Sequence, residues 1–339
     1  MKLQFKLAGS IAACILVLIL GIGIGSVFVP PQDIIKIIFS KIAQKEISCI
    51  ESTFVAIVWN VRLSRVLVAF LAGGSLAVSG AVMQSILKNP LASSYTMGVS
   101  SGAALGAALV ILTGFSLPLI PAFTLPLAGT LAGLLTVYAS VKVAALVDRN
   151  FENSTIILTG IVFSLFINGI ITIIIALNRD GMARLIFWQM GSFASQNIKN
   201  FNILLPLCAA GTIILTGLSH EMDLLTFGEE QAKTMGVDTK KVKWVLLFLA
   251  SALTGTVISF VGIIGFIDLI SPHIVRKLVG ARHKIVVPVS FCIGGTAMVL
   301  CDMTARTILS PQELPVGAIT ALAGAPFFCY VYFKGRRRA

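Results

Sequence analysis

Charge is what this sequence has least of: Asp and Glu number 14, Lys and Arg 26, and together they make up only 12% of 339 residues. With 57% hydrophobic residues and a mean hydropathy of +0.96, that poverty excludes an ordinary soluble globule. Histidine occurs three times, and the six cysteines (Cys14, Cys49, Cys208, Cys292, Cys301 and Cys329) form no CxxC pair. Neither a disulfide framework nor a metal site is therefore expected. No G-x-x-x-x-G-K-[ST] segment occurs, so the chain has no ATP site of its own and no bound cofactor is expected. An enzyme embedded in the membrane would need clustered Asp, His or Ser-Lys groups at one depth, and none is apparent.

What is present is a succession of apolar stretches about 20 residues long, the length that carries a helix across roughly 30 Å of hydrocarbon. Spans are expected at about residues 7–29, 66–87, 96–113, 121–141, 154–177, 201–218, 244–262, 264–278, 285–303 and 314–333. The chain reads as an all-α polytopic membrane protein of about ten transmembrane helices, one transmembrane domain over 1–339. The N-terminal stretch has the basic flank and apolar core of a signal peptide, but its core is long and lacks a small-residue cleavage site, so it reads as the first span. Residues 244–275 are too long for one helix and short for two, and Gly262, Gly265 and Pro272 offer places to turn.

With ten crossings and the N-terminus inside, seventeen of the 26 lysines and arginines fall on the inner side and nine on the outer. Both termini are therefore expected in the cytoplasm of a cell that holds the chain in its cytoplasmic membrane. The formal charge of +12 follows from this loop bias rather than from nucleic-acid binding. The middle thirds of the spans hold no Asp, Glu, Lys, Arg or His, and Asp268, His273 and Asp302 lie near span ends. A carrier driven by an ion gradient usually keeps such groups at membrane depth, so the energy is expected to come from another protein. An ion-coupled secondary carrier for a small metabolite is the alternative, since backbone carbonyls can also hold sodium.

Residues 218–244 hold nine charged side chains between two apolar runs. Within them, 227–236 reads as a short helix ended by Gly236. As a lever it would seat Ala232 and Met235 in a groove of a partner, with the charged residues fixing register; as a charge run it could equally be a solvated linker. Small-residue clusters at 73–75, 79–81, 100–104 and 294–295 read as sites of close helix packing, ahead of the alternative that they line a pathway.

Residues 61–106 hold Arg62, Arg65, Ser79, Gly80, Gln84, Asn89, Pro90, Leu91, Ala92, Gly98, Val99, Ser100, Gly102 and Ala103 in the order of an R-L-P-R-like start, S-G-x-x-x-Q, N-P-L-A and G-V-S-x-G-A. This resembles the FecCD-type permeases of ABC importers, which move ferric siderophores, haem and cobalamin. The likeness continues through residues 188–193, GEEQAKTMGV, GIIGFIDLISPHIVR and ELPVGAITALAGAPFF. Ser64 stands where the pattern has proline, and Asp268 where it commonly has a small residue.

The resemblance implies the type II importer fold of cobalamin permeases: ten helices per subunit, a second permease copy or paralogue, two cytoplasmic ATPase subunits that consume ATP and Mg, and an extracytoplasmic substrate-binding protein. It makes 219–243 a cytoplasmic coupling loop, with Gly228, Glu229, Glu230, Ala232, Met235 and Gly236 as coupling residues. Arg62, Arg65 and Arg306 become docking residues for carboxylates of the binding protein, the bland alternative being arginines that snorkel to lipid headgroups. Gln84, Asn89, Pro90, Ser100, Gly102 and Trp188 become pathway or gate candidates, although Asn89-Pro90 reads more simply as a structural turn. Trp188, Phe187 and Phe193 suggest an interfacial aromatic belt. His273 reads as a helix-end partner rather than a haem ligand.

Overall fold

The computed structural model describes residues 2–25, 29–43, 51–178 and 181–336; Lys45, Cys49, Arg179, Arg337 and Arg338 lie outside the described residues. Every regular element among the described residues is helical. In chain order these are α1 (Lys2–Gly23), α2 (Pro31–Ile42), α3 (Ser52–Ala56), α4 (Leu63–Ile86), α5 (Val99–Thr113), α6 (Thr124–Val147), α7 (Asn153–Leu177) and α8 (Met182–Gln189). There follow α9 (Ile198–Gly217), α10 (Ser219–Phe227), α11 (Glu229–Thr234), α12 (Thr239–Val261), α13 (Ile267–Val279), α14 (His283–Ala305) and α15 (Val316–Arg336).

Six helical stretches are long and apolar enough to cross a membrane, beginning with Thr53–Ile86, and shorter apolar helices cover Gly9–Gly23, Val99–Thr113 and Val316–Tyr330. With α13 they correspond to the ten expected spans. The second differs most: it was expected to begin at 66, yet α3 runs through a π-helical turn at Ile57–Arg62 into α4 without a break. Ser64, which stands where the pattern has proline, lies within this continuous helix.

Helix α4 is the axis of the bundle, buried along nearly all its length and packed against α14, α12 and α13. Its small residues make this possible. A Cβ on Gly73 would lie 2.3 Å from the Gly294 carbonyl oxygen, and one on Gly294 2.4 Å from that of Gly73. The two backbones touch, so the clusters at 73–75 and 294–295 serve packing as expected.

The turn expected after residue 262 is a non-helical break over 262–266 that separates α12 from α13. Gly262 has φ +80°, and a Cβ there would sit 2.1 Å from the Trp188 carbonyl oxygen, so both conformation and space demand glycine. Pro272, the other candidate turn, stays within α13. At 13 residues that helix is about 20 Å long, less than a bilayer core. Such a break persists at depth only where protein or a cavity encloses it. Ser192 N–H donates to the Val261 carbonyl at 2.8 Å and Val316 N–H to that of Gly191 at 3.2 Å, which encloses it with the α8 turn and the start of α15.

Candidate functional site

The chemistry-bearing residues gather at the two ends of α4. At its C-terminal end lies the charged 219–243 segment, where α11 falls within the short helix expected over 227–236 and a further helix, α10, precedes it. Helices α10 and α11 meet at Gly228, whose φ of +129° turns the chain, and α11 gives way at Gly236, φ +86°. The Asp238 carboxylate then accepts from the Lys241 N–H at 3.1 Å and caps α12.

This segment is fastened to three other helices. Asp223 of α10 accepts from the His283 backbone N–H at 3.1 Å and lies 2.6 Å from His283 Nδ1, tying α10 to the first turn of α14. Glu229 of α11 forms an ion pair with Lys243 of α12, whose ammonium is buried and also donates to Asn153 Oδ1 at 2.9 Å and to the Phe151 carbonyl at 3.2 Å. The Phe151 ring stacks on Trp244 with centroids 6.2 Å apart, and Lys240 donates to the Arg149 carbonyl at 2.6 Å. The 148–153 turn before α7 is itself held by Asp148, which accepts from Glu152 N–H at 2.7 Å and Asn150 N–H at 2.8 Å. Those two backbone donors hold its carboxyl below the ordinary carboxylate range.

Ala232 and Met235 part company. Ala232 is fully buried in the chain's own core beside α12, whereas Met235 is 60% and Phe227 69% exposed, and Glu230 also faces outward. Of the expected apolar pair, Met235 alone is available to a partner. Sequence reasoning gave Lys243 and Asn153 no role; the signal was a lysine at the fifth position of α12, just ahead of its apolar run, with an Asn at the start of α7.

At the opposite end of α4 the three arginines lie beneath the surface, not on it. Arg65 clasps Asp302 with Nε and Nη2 at 2.8–3.1 Å and reaches Glu313 with Nη1 at 2.7 Å. Arg306 donates to the Gly21 carbonyl and places Nε 3.6 Å from Asp302, while Arg62 donates to the carbonyls of Ile22 and Gly23 at 3.2 and 2.8 Å. All three guanidinium groups and Asp302 are buried, and Glu313, its side chain 39% exposed, is the one member open to solvent. A cavity of about 210 Å³ opens beside them, lined by all three arginines and Glu313.

The remaining candidates scatter. Gln84, buried on α4, donates to the Leu269 carbonyl at 3.2 Å and accepts from Arg276, so it binds α4 to α13. Asn89 Oδ1 accepts from Leu91 N–H at 2.9 Å, the turn expected of Asn89-Pro90. Ser100 is half-buried. Gly102 is buried, and a Cβ there would meet Thr136 Oγ1 at 2.3 Å, which makes it a packing contact between α5 and α6. Trp188 is half-buried, its carbonyl against Gly262. Phe193 is fully buried, so only Phe187, exposed on α8, has the placement of a belt residue. Asp268 is buried, paired with Ser93 through one oxygen. His273 sits edge-on to the Phe327 ring, 6.2 Å between centroids. Among the described residues no group of three His, Cys, Asp or Glu side chains is placed to hold a metal ion.

Residues 13–334 match the model of the FecCD transport family. The uncharacterised ABC transporter permease protein YvrB of Bacillus subtilis (strain 168) is 38% identical over 320 residues, 94% of this chain and 91% of that protein. The cobalamin import system permease protein BtuC of Halobacterium salinarum is 37% identical over 282 residues, 83% of this chain and 74% of its own length. Other relatives are permeases named for the import of molybdate and ferric citrate and for the transport of hemin. An inward-facing metal-chelate type ABC transporter of solved structure superposes with a TM-score of 0.82 at 29% identity, over 97% of this chain and 98% of that one.

Proposed function

The chain belongs to the FecCD transport family, and from that premise we propose that it is the permease subunit of an ABC importer carrying an iron chelate (ferric siderophore or haem) or cobalamin across the cytoplasmic membrane, driven by a separate ATPase subunit. In this reading the whole chain is one transmembrane domain with both termini in the cytoplasm. It pairs with a second permease, two ATPase subunits and an extracytoplasmic binding protein, and ATP and Mg belong to the ATPase.

The observation that carries the proposal is the fastening of the 219–243 segment. Its outer face offers Phe227, Glu230 and Met235, while its inner face is bonded to α7, α12 and α14. A partner that moves α10 and α11 therefore moves three membrane helices at once, and alternating access needs such a linkage. In proteoliposomes holding the permease, the ATPase and the binding protein, Met235→Glu and Glu230→Lys are expected to cut uptake about tenfold while leaving the fold intact, because both side chains point away from the core. Uptake at the wild-type rate overturns the coupling assignment. Uphill uptake by the permease alone under an ion gradient overturns the importer reading itself.

The arginine cluster is the proposed docking end. A binding-protein carboxylate gains access to Arg65 by displacing Glu313, the exposed member of the set. Glu313→Gln removes that internal competitor and is expected to tighten binding-protein association several-fold in a titration; unchanged or weaker association counts against docking there.

A further inference from the structure

Two cavities flank the turn between α13 and α14, and they differ in chemistry. The first, about 610 Å³, is lined by Lys88, Arg276, Arg282 and His283 together with Gln84, Ser85, Thr226 and Asp223. Three permanent cations face one carboxylate, and that carboxylate is already spent on His283. Arg276 is engaged by Gln84 and the Ala81 carbonyl, whereas Lys88 and Arg282 lie exposed with no side-chain partner among the described residues. Two buried polar atoms in the same wall, Ser85 Oγ and His283 Nε2, also lack a hydrogen-bond partner. A buried polar atom left unpaired is unfavourable, and the Ser85 hydroxyl, which can donate, points to a ligand with acceptors; His283 Nδ1 donates to Asp223, which leaves Nε2 as an acceptor.

The second cavity, about 460 Å³, is a groove between α1, α13 and α14 lined by Gly9, Ala13, Leu278, Val279, Ile293, Ala297 and their neighbours. Its lining is apolar but for Ser10, Cys14 and Thr296, and Thr296 is turned to Cys14 Sγ at 3.0 Å. One short stretch of chain serves both spaces: Leu278 and Val279 face the groove, Ala281 and Arg282 the basic cavity.

We infer that this pair of spaces is a site for an anionic phospholipid, the phosphate held by Lys88, Arg276 and Arg282 and one acyl chain lying along the groove. Guanidinium and ammonium groups suit a phosphate, and basic pockets between helices at a membrane face bind such headgroups. The juxtaposition of a cationic space with an apolar one is what favours a lipid over a free anion. Because α10 and α14 both wall the cavity, an occupant would brace the very joint that Asp223 and His283 make. The inference stands apart from the transport reading, since it needs only that the chain lies in a membrane.

The test uses the full chain, purified and delipidated in detergent, then titrated with phosphatidylglycerol, phosphatidylcholine or inorganic phosphate and read by native mass spectrometry and thermal shift. Phosphatidylglycerol is expected to bind at least tenfold more tightly than phosphatidylcholine. Lys88→Gln with Arg282→Gln is expected to remove that preference, and Arg282→Lys to keep it. Ala297→Trp, which fills the groove and leaves the charges in place, is expected to weaken phosphatidylglycerol several-fold. Equal binding of the two lipids, an unchanged preference in the double variant, or inorganic phosphate protecting as well as the lipid would each overturn the assignment.

Discussion

Asp302→Ala is expected to lower the melting temperature of the purified chain by about 10 °C and to reduce its folded yield several-fold. Asp302 is fully buried, and it holds Arg65 through a two-pronged contact at 2.8–3.1 Å while lying 3.6 Å from Arg306. Its removal leaves two buried guanidinium groups with Glu313 as the nearest carboxylate, and an uncompensated buried charge costs about 3–5 kcal/mol. The design of the test lies in the compensating change. Arg65→Met with Asp302→Leu removes both charges of the closest pair, and most of the lost stability is expected to return. Whatever is not recovered combines what Asp302 does for Arg306 with the loss of the Arg65–Glu313 pair. A single variant that melts with the wild type would show that the pair is solvated and that the cluster is a surface feature after all.

The course of the chain through the membrane is legible in the sequence because hydropathy over a 20-residue window depends on neighbours along the chain. Helices α5, α7, α9 and α12 begin and end within about five residues of where the apolar runs begin and end. Helices α2 and α3 were missed for the same reason in reverse. Helix α2 is 12 residues with Asp33, Lys36 and Lys41, and its Ile34 and Ile37 are buried against the bundle. A window tuned to spans does not register an amphipathic helix of three turns.

The site is harder to read because its bonds join residues far apart in the chain. The number of residues between Arg65 and Asp302 is more than two hundred, and only the fold shows that the start of α4 and the end of α14 meet. From sequence alone an arginine at the edge of an apolar run belongs to the surface, which is why Arg62, Arg65 and Arg306 were placed there. Glycines carry the opposite lesson. The pairs at 73–74 and 294–295 could be read as close-packing positions, since little else explains adjacent glycines within a span, and Gly73 indeed touches Gly294.

Glu229→Met is expected to abolish most uptake while leaving ATP hydrolysis by the partner running. Among the described residues the side chain is the one acidic contact of the buried Lys243 ammonium, and through Lys243 it joins α11 to α12 and to Asn153 at the head of α7. Losing it also leaves Lys243 with neutral acceptors alone, so stability falls by a few kcal/mol. Stability and coupling must therefore be separated, and Glu229→Met with Lys243→Met does so. Two apolar side chains of similar length relieve the buried charge and are expected to restore the melting temperature. They do not restore the directional link between the loop and α7, so uptake is expected to stay at least tenfold below wild type with hydrolysis intact. Should uptake return along with stability, the ion pair is only a brace, and motion of the loop reaches the membrane helices through Asp223 and His283 instead.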